Sequence, residues 1–203
     1  MRIALTNVPL WAALVPVAVY LVTIGLLHLR RRPVMLSGHA DAALLTLGIT
    51  GMVVAGPLAL LQPGAGMSAW TTAVLLLAFA VVVAGGVLAA RPRMVIYNVG
   101  LDQLRPVVAS VAASLDPTAR WAGETAALPA RGLQVHLDDR GPARTVSVIA
   151  AGRTSAEAWI EFSRRLRRAV RGVRVRPSPW AGVFFGAGVA VMAVAAWLAL
   201  GPK

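Results

Sequence analysis

Seven arginines crowd into one short stretch: Arg164, Arg165, Arg167, Arg168, Arg171, Arg174 and Arg176. A guanidinium is planar and presents paired donors, so it suits phosphate and carboxylate oxygens. The stretch is a candidate contact surface for lipid headgroups or a protein partner. It immediately precedes an apolar segment, and basic residues beside a membrane gain about 1 kcal/mol each near anionic lipid. Nucleic acid is disfavoured, because no aromatic residues interleave with the arginines. A topology signal on a solvated helix face is the plainest account, and it needs no ligand.

His28, His39 and Asp41 could bind a metal or relay a proton. Their spacing matches no metal-ligand pattern, so they read as interface residues. Asp138-Asp139 could serve as an acid/base pair, but adjacent strand residues point to opposite faces, and the following Arg140-Gly141-Pro142 reads as a turn. His136 alternates outward on a predicted strand and has no partner in sequence. No phosphate loop, nucleophile elbow or metal motif is present. With no cysteine in the chain, disulfides and thiol chemistry are excluded. The sequence therefore predicts no catalytic residue, no metal and no cofactor.

The elements that would carry these residues are mostly apolar. The 203-residue chain is 58% hydrophobic and 14% charged. A soluble domain carries roughly 25% charged residues. The net charge of +12 comes from 20 basic and 8 acidic residues, and Lys203 is the sole lysine. Such an arginine bias also follows from base composition, since the chain is rich in Ala, Val and Gly.

Crossing a bilayer takes about 20 apolar residues in a helix. Four stretches meet that length: 8–29, 42–61, 69–90 and 180–200, none with an internal Asp, Glu, Lys or Arg. The first ends in Arg30-Arg31-Arg32-Pro33 and is too long for a cleaved signal. The expected fold class is a membrane all-α protein with four transmembrane helices and an inserted α+β domain. Residues 1–92 would hold three helices, 93–176 the domain, and 177–203 the fourth helix. Basic residues stay on the cytoplasmic side. Arg30 to Arg32 and fifteen arginines in 91–179 predict a cell-membrane protein with that segment inside and both termini outside. Small residues at Gly51 and Ala55, and at Gly182 and Gly186, are candidate helix-packing positions, the latter pair within one bundle or between two copies.

The 93–176 segment predicts strand, helix, four short strands, helix. Leu101, Leu104, Val108, Val111 and Leu115 share one helical face, and Leu133, Val135 and Leu137 alternate as on a half-buried strand. Thr154 and Glu157 have the spacing of a capping box ahead of a helix over 155–171.

Several stretches carry a resemblance. They are Asn7-Val8-Pro9-Leu10-Trp11, Val54-Ala55-Gly56-Pro57, Arg91-Pro92-Arg93-Met94-Val95-Ile96-Tyr97-Asn98, and Arg120-Trp121-Ala122-Gly123 with Gly132-Leu133-Gln134-Val135-His136-Leu137. The chain resembles an uncharacterised group of small bacterial multi-pass membrane proteins. The resemblance implies the same layout and carries no activity. The functional expectation is a membrane-anchored interaction or regulatory module, not an enzyme. Its basic cytoplasmic domain would contact anionic headgroups, a protein partner or a second copy. The alternative is an accessory subunit of a transporter or channel, which the near-absence of polar groups within the apolar stretches disfavours.

Overall fold

β-branched and alternating residues build a sheet. The computed structural model describes residues 10–55, 69–89, 91–139, 141–152 and 154–201. Its strands are β1 (Val34–Ser37), β2 (Arg93–Tyr97), β3 (Arg120–Ala122), β4 (Thr125–Leu128), β5 (Leu133–Asp139) and β6 (Thr145–Ala151). They form one six-stranded sheet in the order β1-β2-β6-β5-β4-β3, antiparallel throughout. The α-helices are α1 (Leu10–Leu29), α2 (Gly38–Ala55), α3 (Ala69–Ala89), α4 (Leu101–Leu115), α5 (Ala156–Arg171) and α6 (Trp180–Leu200).

The chain divides into two units. One comprises Leu26–Asp41 and Arg91–Ala181, and contains the sheet with α4 and α5. Its core lies between one sheet face and these helices. Leu104, Val108 and Val111 of α4 and Phe162, Leu166 and Val170 of α5 meet Ile96, Val135, Leu137 and Val148 of the strands. In β5 the alternation is direct: Leu133, Val135 and Leu137 are buried while Gln134 is exposed. Helix α5 is capped by Ser155, whose hydroxyl accepts from Ala158 N. The cap is therefore one residue later than the Thr154–Glu157 spacing predicts. Thr154 donates instead to Ala151 O at 3.1 Å.

The opposite sheet face is also covered. Register pairs Val95 with Ser147 and Tyr97 with Thr145. All four are buried, and none belongs to the helix-side core.

The other unit holds the remaining parts of α1, α2 and α6, together with α3. Its helices approach closely at glycines. A Cβ on Gly51 would collide with the Ala13 backbone, and one on Gly48 would come within 2.7 Å of Tyr20 Cβ, so α1 and α2 meet there. Helices α1 and α6 meet where a Cβ on Gly25 would lie 2.7 Å from Phe185 N and one on Gly188 2.8 Å from Val22 N. Contacts this short leave room for hydrogen only.

The expectation of a four-helix membrane protein is corrected. The fold is α+β, with a six-stranded antiparallel sheet and six α-helices among the described residues. Two of those helices, α1 and α6, are long and apolar enough to cross a membrane. The difference lies in the second and third apolar stretches. The segment before the second is a strand, β1, and α2 starts at Gly38 with His39 and Asp41 in its polar first turn. Its expected remainder, 56–61, lies outside the described residues, as do Val8 and Pro9 of the first stretch. Helix α3 runs over Ala69–Ala89, and its apolar stretch among the residues with described side chains is Leu77–Gly86.

Candidate functional site

Eight arginines of the α+β unit line a set of neighbouring clefts. The chain leaves α1 at Leu29 and runs through Arg30, Arg31 and Arg32 into β1. It leaves α5 at Arg171 and runs extended through Arg174 and Arg176 toward α6. These two connections are tied by their backbones. Val175 N donates to Arg31 O at 3.0 Å, and Ser178 N donates to His28 O at 3.0 Å. Val175 is buried, while the arginines on either side of it are exposed.

Three clefts result. The first, of about 580 Å³, is lined by Arg31, Arg32, Arg174, Val175, Arg176 and Pro177. The second, of about 540 Å³, shares Arg174, Val175 and Arg176, and adds Gln103 and Arg144. The third, of about 320 Å³, brings Arg30 and Arg32 beside Arg167 and Arg171. Among the described residues, no carboxylate lines any of them. The ion pairs among the described residues lie elsewhere: Arg93–Asp41, Arg131–Glu161 and Arg165–Glu161.

The seven arginines of the original run thus separate. Arg174 and Arg176 face Arg31 and Arg32 across the first cleft, and Arg167 and Arg171 line the third. Arg165 turns to Glu161 at 2.6 Å and to Ser114 O at 3.1 Å, which fixes α5 to α4. Arg164 and Arg168 are exposed and line none of the three clefts. In the sequence Arg30 to Arg32 read as a topology signal alone, and Arg144 stands apart from the arginine run. Arg144 has a left-handed backbone at φ 54°, donates to Arg176 O at 3.4 Å and to Gln103 Oε1 at 3.1 Å. The Gly-Pro just before Arg144 is the available hint, since it marks a turn that can swing a side chain out of the sheet.

Compared with protein-family models, curated proteins and solved structures, the chain finds no match. The reading of the site therefore stands on its geometry.

Beneath the clefts lies a buried polar network on the second sheet face. His28 Nε2 is 2.8 Å from Ala143 O and 3.3 Å from Thr145 Oγ1. A carbonyl only accepts, so Nε2 carries the hydrogen. The His28 ring meets Tyr97 edge to face, with centroids 5.7 Å apart at 85°. The Tyr97 hydroxyl donates to Asp41 Oδ1, and Arg93 donates to Asp41 Oδ2 at 3.4 Å. Asn98, with φ 61°, donates from Nδ2 to Arg30 O at 2.5 Å. His28 and Asp41 are thereby joined through Tyr97, while His39 is exposed. No group of three His, Cys, Asp or Glu poised for a metal occurs among the described residues. The network spans α1, α2, β2 and β6, so it holds the Arg30–Pro33 connection against the sheet.

The remaining candidates are local. Asp139 Oδ1 accepts from Gly141 N at 3.1 Å, closing the turn after β5. His136 Nδ1 lies 3.1 Å from Thr125 Oγ1, its cross-strand partner. Of the small-residue positions, Gly51 sits at the α1–α2 approach. Gly182 and Gly186 have open space where a Cβ would stand. The side chain of Ala55 lies outside the description.

Proposed function

We propose that this protein is a membrane-anchored module whose α+β unit presents an arginine surface to anionic lipid headgroups. The carrying observation is the placement of arginines that form no ion pair among the described residues. Arg30 to Arg32 directly follow α1, and Arg171, Arg174 and Arg176 lead into α6. Among the described residues, these are the two helices with the length and apolarity to span a bilayer. Only 22% and 11% of their most apolar windows are buried, whereas the core helix of a soluble protein is mostly buried. Leu26 at 47%, Val183 at 57% and Trp197 at 71% exposure suit contact with lipid tails. Basic residues cluster on the cytoplasmic side of a span. That rule puts the α+β unit at the inner face of a cell membrane.

Two measurements test this reading on the full chain. After alkaline carbonate washing, the protein stays in the membrane pellet; release into the supernatant overturns the anchor. In neutral detergent micelles, added anionic phospholipid binds, and binding weakens as salt rises. Failure of anionic lipid to bind, or salt-independent binding, overturns the lipid-facing surface.

A further inference from the structure

The first two clefts are lobes of a single feature. They share Arg174, Val175 and Arg176, with Arg31 and Arg32 on one side and Gln103 and Arg144 on the other. Every one of these residues belongs to the same unit. A diffuse basic surface would spread its charges to reduce repulsion. Here five guanidinium groups are drawn together by hydrogen bonds instead. Val175 N is fixed to Arg31 O, and Arg144 is fixed over Arg176 O and Gln103. No acid in the lining offsets them. Like charges held this way need a counter-charge, and guanidinium geometry matches phosphate oxygens in pairs.

We infer that this two-lobed cleft is a discrete site for a headgroup carrying two phosphates, one per lobe, with Arg174 and Arg176 between them. Arg31 and Arg32 hold the first phosphate, and Arg144 meets the second. Gln103 adds a neutral donor suited to a hydroxyl or ester oxygen between phosphates. A lipid and a soluble diphosphate share this chemistry. The lipid is the source assigned, because Arg31 lies two positions after the end of α1 and Arg176 four positions before the start of α6. The inference rests on the membrane-anchored reading and adds a defined ligand class to it.

The test uses the full chain in neutral detergent micelles, titrated with three probes and followed by native mass spectrometry. The probes are a diphosphatidyl lipid, phosphatidylglycerol at equal total charge, and inorganic pyrophosphate. The diphosphatidyl lipid is expected to bind about tenfold tighter than phosphatidylglycerol, with one molecule held per chain. Pyrophosphate is expected to bind at least tenfold more weakly than that lipid. The paired variant Arg31→Gln/Arg32→Gln should erase the preference, and Arg174→Gln/Arg176→Gln should do the same. Arg164→Gln/Arg168→Gln, on exposed positions outside the clefts, should leave it intact. Equal binding of both lipids overturns the discrete site while leaving a general anionic surface standing. Pyrophosphate binding as tightly as the lipid overturns the lipid source. Absence of binding by either lipid overturns the underlying functional reading as well.

Discussion

Tyr97, at the end of β2, donates its hydroxyl proton to the carboxylate of Asp41 in the first turn of α2. Both residues are buried, at 6% and 8% exposure. The bond ties two segments lying far apart in sequence, and Arg93 donates to the other carboxylate oxygen of Asp41 at 3.4 Å. Tyr97→Phe leaves a buried carboxylate short of one donor. Losing a partner this way costs about 1–3 kcal/mol, more when the survivor is charged. The variant should melt at lower temperature than the wild type in thermal denaturation of the detergent-solubilised chain. An unchanged melting temperature would show that the bond contributes nothing.

The glycines of the helical unit separate into two classes. Gly51 and Gly188 have backbone or side-chain atoms where a Cβ would go, whereas Gly186 has open space. Gly51→Val and Gly188→Val should each destabilise the unit by about 1–3 kcal/mol through overpacking. Gly186→Val should change stability by less than about 0.5 kcal/mol. Comparing the three variants by thermal unfolding checks this, and equal effects would contradict the helix approaches described.

Asp116 closes the C-terminus of α4. Its Oδ1 accepts from the Thr118 hydroxyl at 2.6 Å and from Thr118 N at 2.8 Å, and its Oδ2 accepts from Ala130 N at 2.8 Å. The Thr118 side chain is the main cause that lowers its pKa below the ordinary 3.8, with Arg131 assisting and burial opposing. A depressed carboxylate pKa stabilises the fold above the ordinary value, and the gain is lost as pH falls through the folded-state value. Asp116→Asn should therefore lower the melting temperature at neutral pH, and its gap from the wild type should narrow below about pH 4. A gap independent of pH would contradict this account.

Ser147 is buried in β6, and its Oγ has no hydrogen-bond partner among the described residues. A buried hydroxyl without a partner carries its desolvation cost uncompensated. Ser147→Ala should be neutral or stabilising, by up to about 1 kcal/mol. A substantial loss of stability on chemical denaturation would show that the hydroxyl has a role the contacts do not reveal.

Much of this was written in local residue patterns. The alternation of Leu133, Val135 and Leu137 reports which face of β5 is buried, and the spacing of Leu104, Val108 and Val111 reports which face of α4 is buried. Local patterns give no information about long-range pairing. Val34–Ser37 reads as a short link between apolar stretches, and only its register with Met94–Tyr97 makes it part of the sheet. Asp41 reads as an interface residue because its partners, Tyr97 and Arg93, lie 56 and 52 positions away. The same holds for the basic cleft. The run from Arg164 to Arg176 is plain in the sequence, but its opposing half, Arg31, Arg32 and Arg144, is assembled by the fold. Counting apolar residues, in turn, predicts four spans, where among the described residues two helices are long and apolar enough to cross a bilayer.

The edge position of β1 has a consequence for biogenesis. Val34 pairs with Tyr97, so 97 minus 34, or 63, positions separate the partners. At a synthesis rate of about 5–20 residues per second, β1 emerges from the ribosome roughly 3–13 s before β2 exists to receive it. Throughout that interval its backbone donors and acceptors stay open to other chains. Ribosome pausing within the codons for 42–90 would lengthen the exposure, and synonymous recoding there should alter the yield of folded protein without changing a single residue.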